Sequence, residues 1–329
     1  MDISIIIPAY NCEKTIGRCL DSIINQSCDS IKEIIVVNDG SKDNTLDILK
    51  SYEKLDSRIE IIDKKNGGVS SARNIGIQKA KCGYIMFVDG DDELKHDFVS
   101  RLVCESCSTD LCVGGIELHR DDGNSDIVHS GLYPALETLK YYGTKVPTLL
   151  LNGPCAKIFK KDIILSHQIK FNASVSLGED TLFVFEYVTY CKNILFVGVP
   201  GYIYYQFGNS SLMTKFNPEN YYTAKYVYQY ILEFTSKLNN GVSMENVEKV
   251  YSNVLIHYIR NAIFNRKKCS DKHIKNLISD YVSDPVVRIC MKNANGSNIV
   301  QNLVRFFVMR RMVKSLDLFL TLHVKIRGQ

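Results

Sequence analysis

Apolar residues along the first hundred positions follow two alternating rhythms. Residues 3–8 form a short, unbroken β-branched run, the mark of a buried strand. Ile16, Leu20, Ile23 and Ile24 then recur at helical spacing. Residues 33–38 repeat the strand pattern, and Leu46, Leu49, Tyr52 and Leu55 repeat the helical one. Residues 59–62 predict a third strand, 70–81 a third helix and 84–88 a fourth strand. Asn11 is placed to cap the first helix, with Glu13 in its first turn.

Strand–helix alternation with short connections predicts an α/β fold: a mostly parallel central sheet with helices on both faces. The polar clusters at 9–11, 38–41 and 89–92 each follow a strand. In such a sheet the loops at the carboxyl ends of the strands form the ligand crevice, so these clusters are expected along one edge. From 109 to about 205 the alternation weakens and the pattern becomes mixed, with a hairpin turn expected at Asp121-Asp122-Gly123-Asn124. Beyond Pro218 it is helical over 221–238, 244–265, 271–282 and 299–322. The boundary is expected near 215, which makes 1–215 one domain and 216–329 a helical C-terminal region.

Charge and composition narrow the classes. The net charge is only +4, too weak to imply nucleic acid. Residues 299–329 hold six basic residues and one acid, so the basic surplus sits at the C-terminus. Over 308–321, Val308, Met309, Met312, Val313, Leu316, Phe319 and Leu320 share one helical face, and Arg310, Arg311, Lys314, Asp317 and Thr321 the other. Such a helix either packs on the protein or lies on an anionic membrane. No window resembles a transmembrane helix, and Asp2 stands where a signal peptide has basic residues. The chain is therefore expected in the cytoplasm, with peripheral contact at the inner face of the cell membrane through 299–329. The eleven cysteines are odd in number and scattered; Cys104 and Cys107 form one close pair in a predicted helix, and reduced thiols are expected.

The densest chemistry is Asp89-Gly90-Asp91-Asp92, three carboxylates in four residues at the end of the fourth strand. Carboxylates this close repel unless a cation or solvent separates them. Hard cations such as Mn2+ and Mg2+ prefer carboxylate oxygen and share their shell with substrate phosphates. Asp39, at the end of the second strand, is a turn former or an acceptor for a base or ribose group. Tyr10 is a half-buried aromatic or a stacking surface for a base. Asn66-Gly67-Gly68 turns into a helix, where backbone amides favour anions, and Arg73 stands one turn in. Glu179-Asp180 opens an apolar helix; it either complements the helix dipole or supplies a general base. No G-x-G-x-x-G follows the first strand and no G-x-x-x-x-G-K-[ST] occurs. That excludes a Rossmann dinucleotide fold and a P-loop NTPase.

Taken in order, Ser4 through Asn11, Val36 through Asp43, Asn66 through Asn74 and Phe87 through Asp92 resemble the family 2 inverting glycosyltransferases of GT-A fold. Within that family the likeness is to bacterial enzymes that build capsule, O-antigen and exopolysaccharide. Ala156 through Phe159, Gly178-Glu179-Asp180 and Tyr204-Tyr205 continue it more loosely. The resemblance makes 1–100 the nucleotide-sugar-binding half and 101–215 the acceptor-side half. It implies that Pro8, Tyr10 and Asp39 line the nucleobase pocket, Asp39 accepting from a uracil N–H. It adds Asn11, Asn66, Gly67 and Gly90 to the donor-contacting positions. Arg73 would support base or diphosphate, Asp89 would contact ribose or sugar, and Asp91 would ligate Mn2+ or Mg2+. Asp180 would be the catalytic base with Glu179 beside it, and Asp92 is left to cap or orient the run.

The chain departs from the family in having Gly90 where many members have Ser, and Pro154-Cys155-Ala156 where many have Trp; it has no Trp at all. The implied reaction moves a sugar, with inversion, from a nucleotide-diphosphate donor, by family habit a UDP-sugar. The acceptor would be a glycan or lipid-linked hydroxyl in cell-surface polysaccharide synthesis. The alternative is a noncatalytic sugar-nucleotide-binding or assembly subunit. A nucleotidyltransferase would need a glycine- and Arg/Lys-rich loop after the first strand, which Pro8-Ala9-Tyr10-Asn11 does not supply.

Overall fold

A computed structural model describes residues 1–105, 109–120, 131–134, 148–175, 177–206, 217–237, 245–293 and 299–327. The expected turn at 121–124, the boundary at 215 and Cys107 lie outside the described residues. The described residues fall into two compact units, one within 1–206 and one within 217–327.

The first unit opens with β1 (Ile3–Ala9), α1 (Ile16–Ile24), β2 (Ile31–Asn38), α2 (Thr45–Leu55), β3 (Ile59–Asp63), α3 (Val69–Lys79) and β4 (Tyr84–Phe87). It continues with β5 (Glu93–Leu94), α4 (Phe98–Glu105), β6 (Leu111–Arg120), β7 (Gly131–Pro134), α5 (Thr148–Asn152), β8 (Lys157–Lys160), α6 (Lys161–Ser166), α7 (Glu179–Thr189) and β9 (Asn193–Gln206). These strands form one sheet in the order β3-β2-β1-β4-β8-β6-β9-β5, with β7 on β9. The four strands of the N-terminal half pair in parallel, Ile5 lying opposite Ile34 on one side and Met86 on the other. β8 runs antiparallel between β4 and β6, so the second half is mixed, as the weakened alternation predicts.

Burial explains why the N-terminal strands read as continuous apolar runs. Ile3, Ile5, Ile6, Ile7 and Ala9 are all buried, because helices cover both faces of a parallel sheet. The helices bury one stripe only: Ile16, Cys19, Leu20 and Ile23 in α1. Leu55, expected on the inner face of α2, is instead 77% exposed at its last turn. β1 has neighbours on both sides that the chain reaches in opposite directions, β2 and β4. That is a topological switch point, and it opens a crevice at the carboxyl ends.

Asn11 and Glu13 do not start α1. The helix begins four residues later than Asn11 could cap, at Ile16, and Asn11 adopts a positive φ of 48°. Both side chains reach across to the loop after β2. Asn11 Oδ1 accepts from the Lys42 amide at 2.8 Å, and Glu13 accepts from the Asn44 amide and side chain at 3.0 Å. The competing partner is tertiary, which local capping rules do not see.

Under the crevice lies a cluster of rings. Phe87 meets Phe159, Phe171 and Phe183 edge-on at 5.4–5.8 Å, and Phe171 stacks on Phe183 at 4.0 Å. It joins the end of β4 to β8 and α7, the elements that bear Asp89, Lys157 and Asp180.

The second unit is helical: α8 (Asn220–Lys237), α9 (Glu245–Phe264), α10 (Asp271–Ser283), α11 (Pro285–Asn293), α12 (Ile299–Met309) and α13 (Val313–Arg327). α11 was not expected. Pro285 occupies its first turn, where proline needs no amide partner, and Asp284 accepts from the Val286 amide at 2.9 Å. The single helix expected over 299–322 is broken. Arg311 takes a positive φ of 54°, and the Met312 amide turns back to the Phe307 carbonyl. The expected apolar face is divided: Val308, Leu316 and Leu320 are buried, while Met309 and Met312 stay exposed. Inside, buried Asp284 accepts from Tyr251 Oη at 2.7 Å and pairs with Lys225 at 3.3 Å.

Phe183→Ala is expected to cost about 3–5 kcal/mol in urea unfolding, since it empties the middle of the ring cluster. A loss below about 1 kcal/mol would show that the cluster collapses around the gap.

Candidate active site

Four loops converge at the carboxyl ends of β1, β2, β3 and β4. The first presents Tyr10, 48% exposed, with Pro8 half-buried behind it. Asn11 ties this loop to the second, since its amide donates to Ser41 Oγ at 3.0 Å. The second and third loops are joined by Asp39. Its carboxylate, almost wholly buried, accepts from the Gly67 amide at 2.9 Å, the Gly68 amide at 2.7 Å and the Lys64 ammonium. Asn66 Nδ2 donates to the Asp39 carbonyl at 2.9 Å. Asp39, Asn66 and Gly67 thus form one clamp that sets the start of α3, and Lys64, which the spacing did not flag, belongs to it.

α3 then carries Arg73 inward. Arg73 lies on the buried stripe with Ala72, Gly76 and Ile77, and its side chain is 3% exposed. Burying a guanidinium requires opposite charge on every side it can reach. Nη2 donates to Asp89 Oδ1 at 2.8 Å, and Nη1 pairs with Asp180 Oδ1. The ring of Phe171 lies 5.2 Å from its Cζ. Its Nε has no hydrogen-bond partner among the described residues. One buried cation therefore joins the acidic run to a carboxylate that follows it in sequence by some ninety positions.

The three acids of the run have separate surroundings. Asp89 is paired with Arg73. Asp92 is 1% exposed; it accepts from Tyr202 Oη at 2.7 Å and from the Tyr205 amide at 3.1 Å. Asp91 stands open to solvent with no ion-pair partner among the described residues. Its pKa is raised by the packed loop behind it and then by Asp89. The pKa of Asp92 is raised too, first by burial and then by Asp89 and Asp91, which outweigh its two donors. Gly90 fits a tight space: a Cβ there would come within 3.3 Å of Ile16 Cδ1 and 3.4 Å of the Pro8 carbonyl oxygen.

No group of three His, Cys, Asp or Glu side chains among the described residues is arranged to hold a metal by itself. Asp91, with Asp89 beside it, offers part of a hard oxygen shell. That fits Mn2+ or Mg2+, which complete their shells with water and substrate phosphate. Nearby Cys12, Cys19 and Cys155 offer no thiolate, because burial raises each thiol, Cys12 to about 11.

Across the crevice from the acidic run, Gly178 takes φ 87°, a conformation open to glycine, and starts α7 with Glu179 and Asp180. Burial raises the Asp180 pKa; Arg73 opposes that rise, and Glu179 and Asp89 add to it. Glu179 is raised by burial as well. Lys157, fully buried, donates to the carbonyls of Gly153 at 2.5 Å and Cys155 at 3.0 Å, and burial pushes its pKa down to about 8. It pins the segment that stands in place of the family's Trp, where Ala156 holds a φ of 57°. Thr15, Arg18 and Tyr202 also touch the acidic run, and no local pattern marked them.

Residues 4–166 match the sequence model of Glycosyl transferase family 2. The putatively named glycosyltransferase EpsH of Bacillus subtilis is 26% identical over 275 residues, 82% of this chain and 78% of that protein. The uncharacterized glycosyltransferase EpsJ of the same organism is 43% identical over 122 residues, 37% of this chain and 35% of EpsJ. The poly(ribitol-phosphate) beta-N-acetylglucosaminyltransferase TarP of Staphylococcus aureus is 30% identical over 209 residues, 58% of each chain. The chain therefore spans less than two thirds of the length of several relatives it matches. The crystal structure of S. aureus TarS 1–349 with UDP-GlcNAc superposes with a TM-score of 0.74 at 18% identity, covering 100% of this chain and 93% of that one. The fold is GT-A, and the chain belongs to glycosyl transferase family 2.

Replacing Arg73 by Met removes the cation that opposes the rise of the Asp180 pKa. The Asp180 titration, followed by carboxyl NMR, is expected to move to higher pH in the variant. A titration at the wild-type position would show that the ion pair does not govern that carboxyl.

Proposed function

We propose that this protein transfers a sugar from a nucleoside-diphosphate donor, a UDP-sugar, to a hydroxyl of a glycan or lipid-linked acceptor, with inversion, in cell-surface polysaccharide synthesis. The observation that supports it most is the Asp89–Arg73–Asp180 bridge, which sets a raised-pKa carboxylate against the acidic run at the crevice. The TarS structures bound to UDP and UDP-GlcNAc support the choice of donor.

The donor base lies against Tyr10 and Pro8. For Asp39 to accept from a uracil N–H, Lys64 has to turn aside, since that ammonium and the two amides occupy both oxygens. Asp89 faces the ribose or sugar. Arg73, buried and held by its two carboxylates, acts on the diphosphate through its positive field. Asp91 would hold a divalent cation, which when bound offsets the charge that develops on the departing diphosphate.

Asp180 takes the proton of the acceptor hydroxyl as that oxygen bonds to the anomeric carbon and the bond to the diphosphate breaks. A single displacement inverts the centre. Its pKa suits the work: burial raises it to about 7 and strengthens the carboxylate as a base, while Arg73 limits that rise. Glu179, beside it, adds negative charge. Activity should therefore rise as pH increases through the Asp180 pKa.

Membrane contact through 299–329 is proposed on another face than the one the spacing implied. Ile299, Leu318 and Ile326 are 78%, 63% and 83% exposed, with Arg310, Arg311, Lys314 and Lys325 exposed as well. No helix among the described residues is long and apolar enough to cross a membrane. The proposed contact is peripheral, apolar side chains entering and bases meeting anionic headgroups.

Asp180→Asn is expected to bind UDP-sugar normally and lose about 10²- to 10⁴-fold in transfer. Asp91→Ala is expected to lose Mn2+-dependent donor turnover. Normal transfer by the first would move the base elsewhere, and full turnover by the second would remove the cation from Asp91. A wild-type protein that neither transfers nor hydrolyses any UDP-sugar, with or without Mn2+, would favour a noncatalytic binding subunit. For the membrane face, Leu318→Glu with Ile326→Glu should lower sedimentation with anionic vesicles, and unchanged partitioning would dismiss that contact.

A further inference from the structure

The acidic run closes a tight turn, the Asp92 amide donating to the Asp89 carbonyl at 3.1 Å. Left alone, such a turn would spring open, because its carboxylates repel. It is held from outside at every residue. Thr15 Oγ1 donates to the Gly90 carbonyl at 3.0 Å, and Arg18 Nη2 to the Asp91 carbonyl at 2.8 Å. Both come from the start of α1.

The other two residues are held by one hydroxyl. Tyr202 Oη accepts from the Asp89 amide at 3.1 Å and donates to Asp92 Oδ2 at 2.7 Å. Asp92 Oδ1 takes the Tyr205 amide at 3.1 Å, and β5 pairs Leu94 with Tyr202 and Glu93 with Ile203. The two ends of the turn are thus joined through β9. Tyr202 is 1% exposed, so no water stands in for a lost partner. Phenylalanine would fill the ring's volume but leave an amide and a carboxylate oxygen unsatisfied.

We propose that Tyr202 is a positioning residue for the cation-binding loop. By coupling the Asp89 amide to the Asp92 carboxylate, its hydroxyl sets the curvature that presents Asp91. This rests on the reading that Asp91 holds a divalent cation. A purely structural tyrosine would alter stability without altering cation affinity. Tyr187 serves as the comparison: its buried hydroxyl also both accepts, from the Lys160 amide at 2.8 Å, and donates, to the Asp110 carbonyl at 2.6 Å.

The test is a Mn2+ titration in the presence of UDP, read by electron paramagnetic resonance on the full chain. Wild type is compared with Tyr202→Phe, Tyr187→Phe and Asp91→Ala, with thermal unfolding of each recorded alongside. Tyr202→Phe is expected to weaken Mn2+ binding by about 10- to 100-fold, while Tyr187→Phe loses stability only. Wild-type Mn2+ affinity in Tyr202→Phe, with Asp91→Ala weakened, would overturn this inference and leave the cation reading standing. Equal weakening in Tyr187→Phe would overturn it as general loosening. Unchanged affinity in Asp91→Ala would overturn the cation reading and this inference with it. If Tyr202→Phe does not fold, Asp92→Asn, which keeps the shape and removes the charge the hydroxyl meets, is read by the same outcomes.

Discussion

A buried guanidinium with a carboxylate at each end organises the crevice. Arg73 leaves water almost completely, which costs several kcal/mol for an isolated charge. Asp89 and Asp180 offset that cost, and in doing so they are drawn to a common point from two distant stretches of chain. An apolar residue on the same helical stripe would pack without this cost, so the ion bridge is poorly explained as a stability device. It is better explained as a positioning device: the cation fixes the separation of two acids that would otherwise repel. The Asp39 clamp is upstream of it, because the Gly67 and Gly68 amides set where α3 starts and so where Arg73 arrives.

The acidic run shows how one short motif divides its work through burial. Asp92 is enclosed and held by β9, Asp89 is paired with the guanidinium, and Asp91 alone stands open. Burial and then like charge raise the Asp91 and Asp92 pKa values, so the turn is electrostatically loaded. That load is borne by hydrogen bonds with the Thr15 and Tyr202 hydroxyls and by the Arg18 guanidinium, all outside the run. At Gly90 a side chain would press on the end of Ile16 and on the Pro8 carbonyl, so the smallest residue fits there without any shift.

The helical unit follows different physics. Buried Asp284 anchors a charged network that runs outward through Lys225 to half-exposed Asp280, with two tyrosines donating to those acids. Such groups are tolerated inside because every one of them has a partner. On either side of the break at Arg311, Val304 and Val308 of α12 and Leu316, Leu320 and Val324 of α13 are buried, while Ile299, Leu318 and Ile326 stay outside.

The parallel half of the sheet, its helices and the convergence of the strand-end loops were legible in the residues alone. Continuous apolar runs mark the buried strands, period-3.6 burial marks the helices, and a short alternation of strand and helix leaves few topologies. The acidic run, Asp39, Arg73 and Asp180 were visible as candidates for the same reason: each sits at a strand end or a helix start. Their partners were not. Asn11 and Glu13 look like caps, and only the neighbouring loop, thirty residues away, redirects them. Tyr202 has no local signature, since its value lies in meeting Asp89 and Asp92 across the sheet. Nothing around Arg311 announces a stop, for no glycine or proline stands there, yet Arg311 takes a positive φ and the Met312 amide turns back to the Phe307 carbonyl. Local periodicity determined the strands and helices of the N-terminal half and which acids follow its strands. Only the packed structure decided which of those acids are paired, which is buried and which is left open to a ligand, because charge pairing and desolvation depend on neighbours that the chain brings together from far apart.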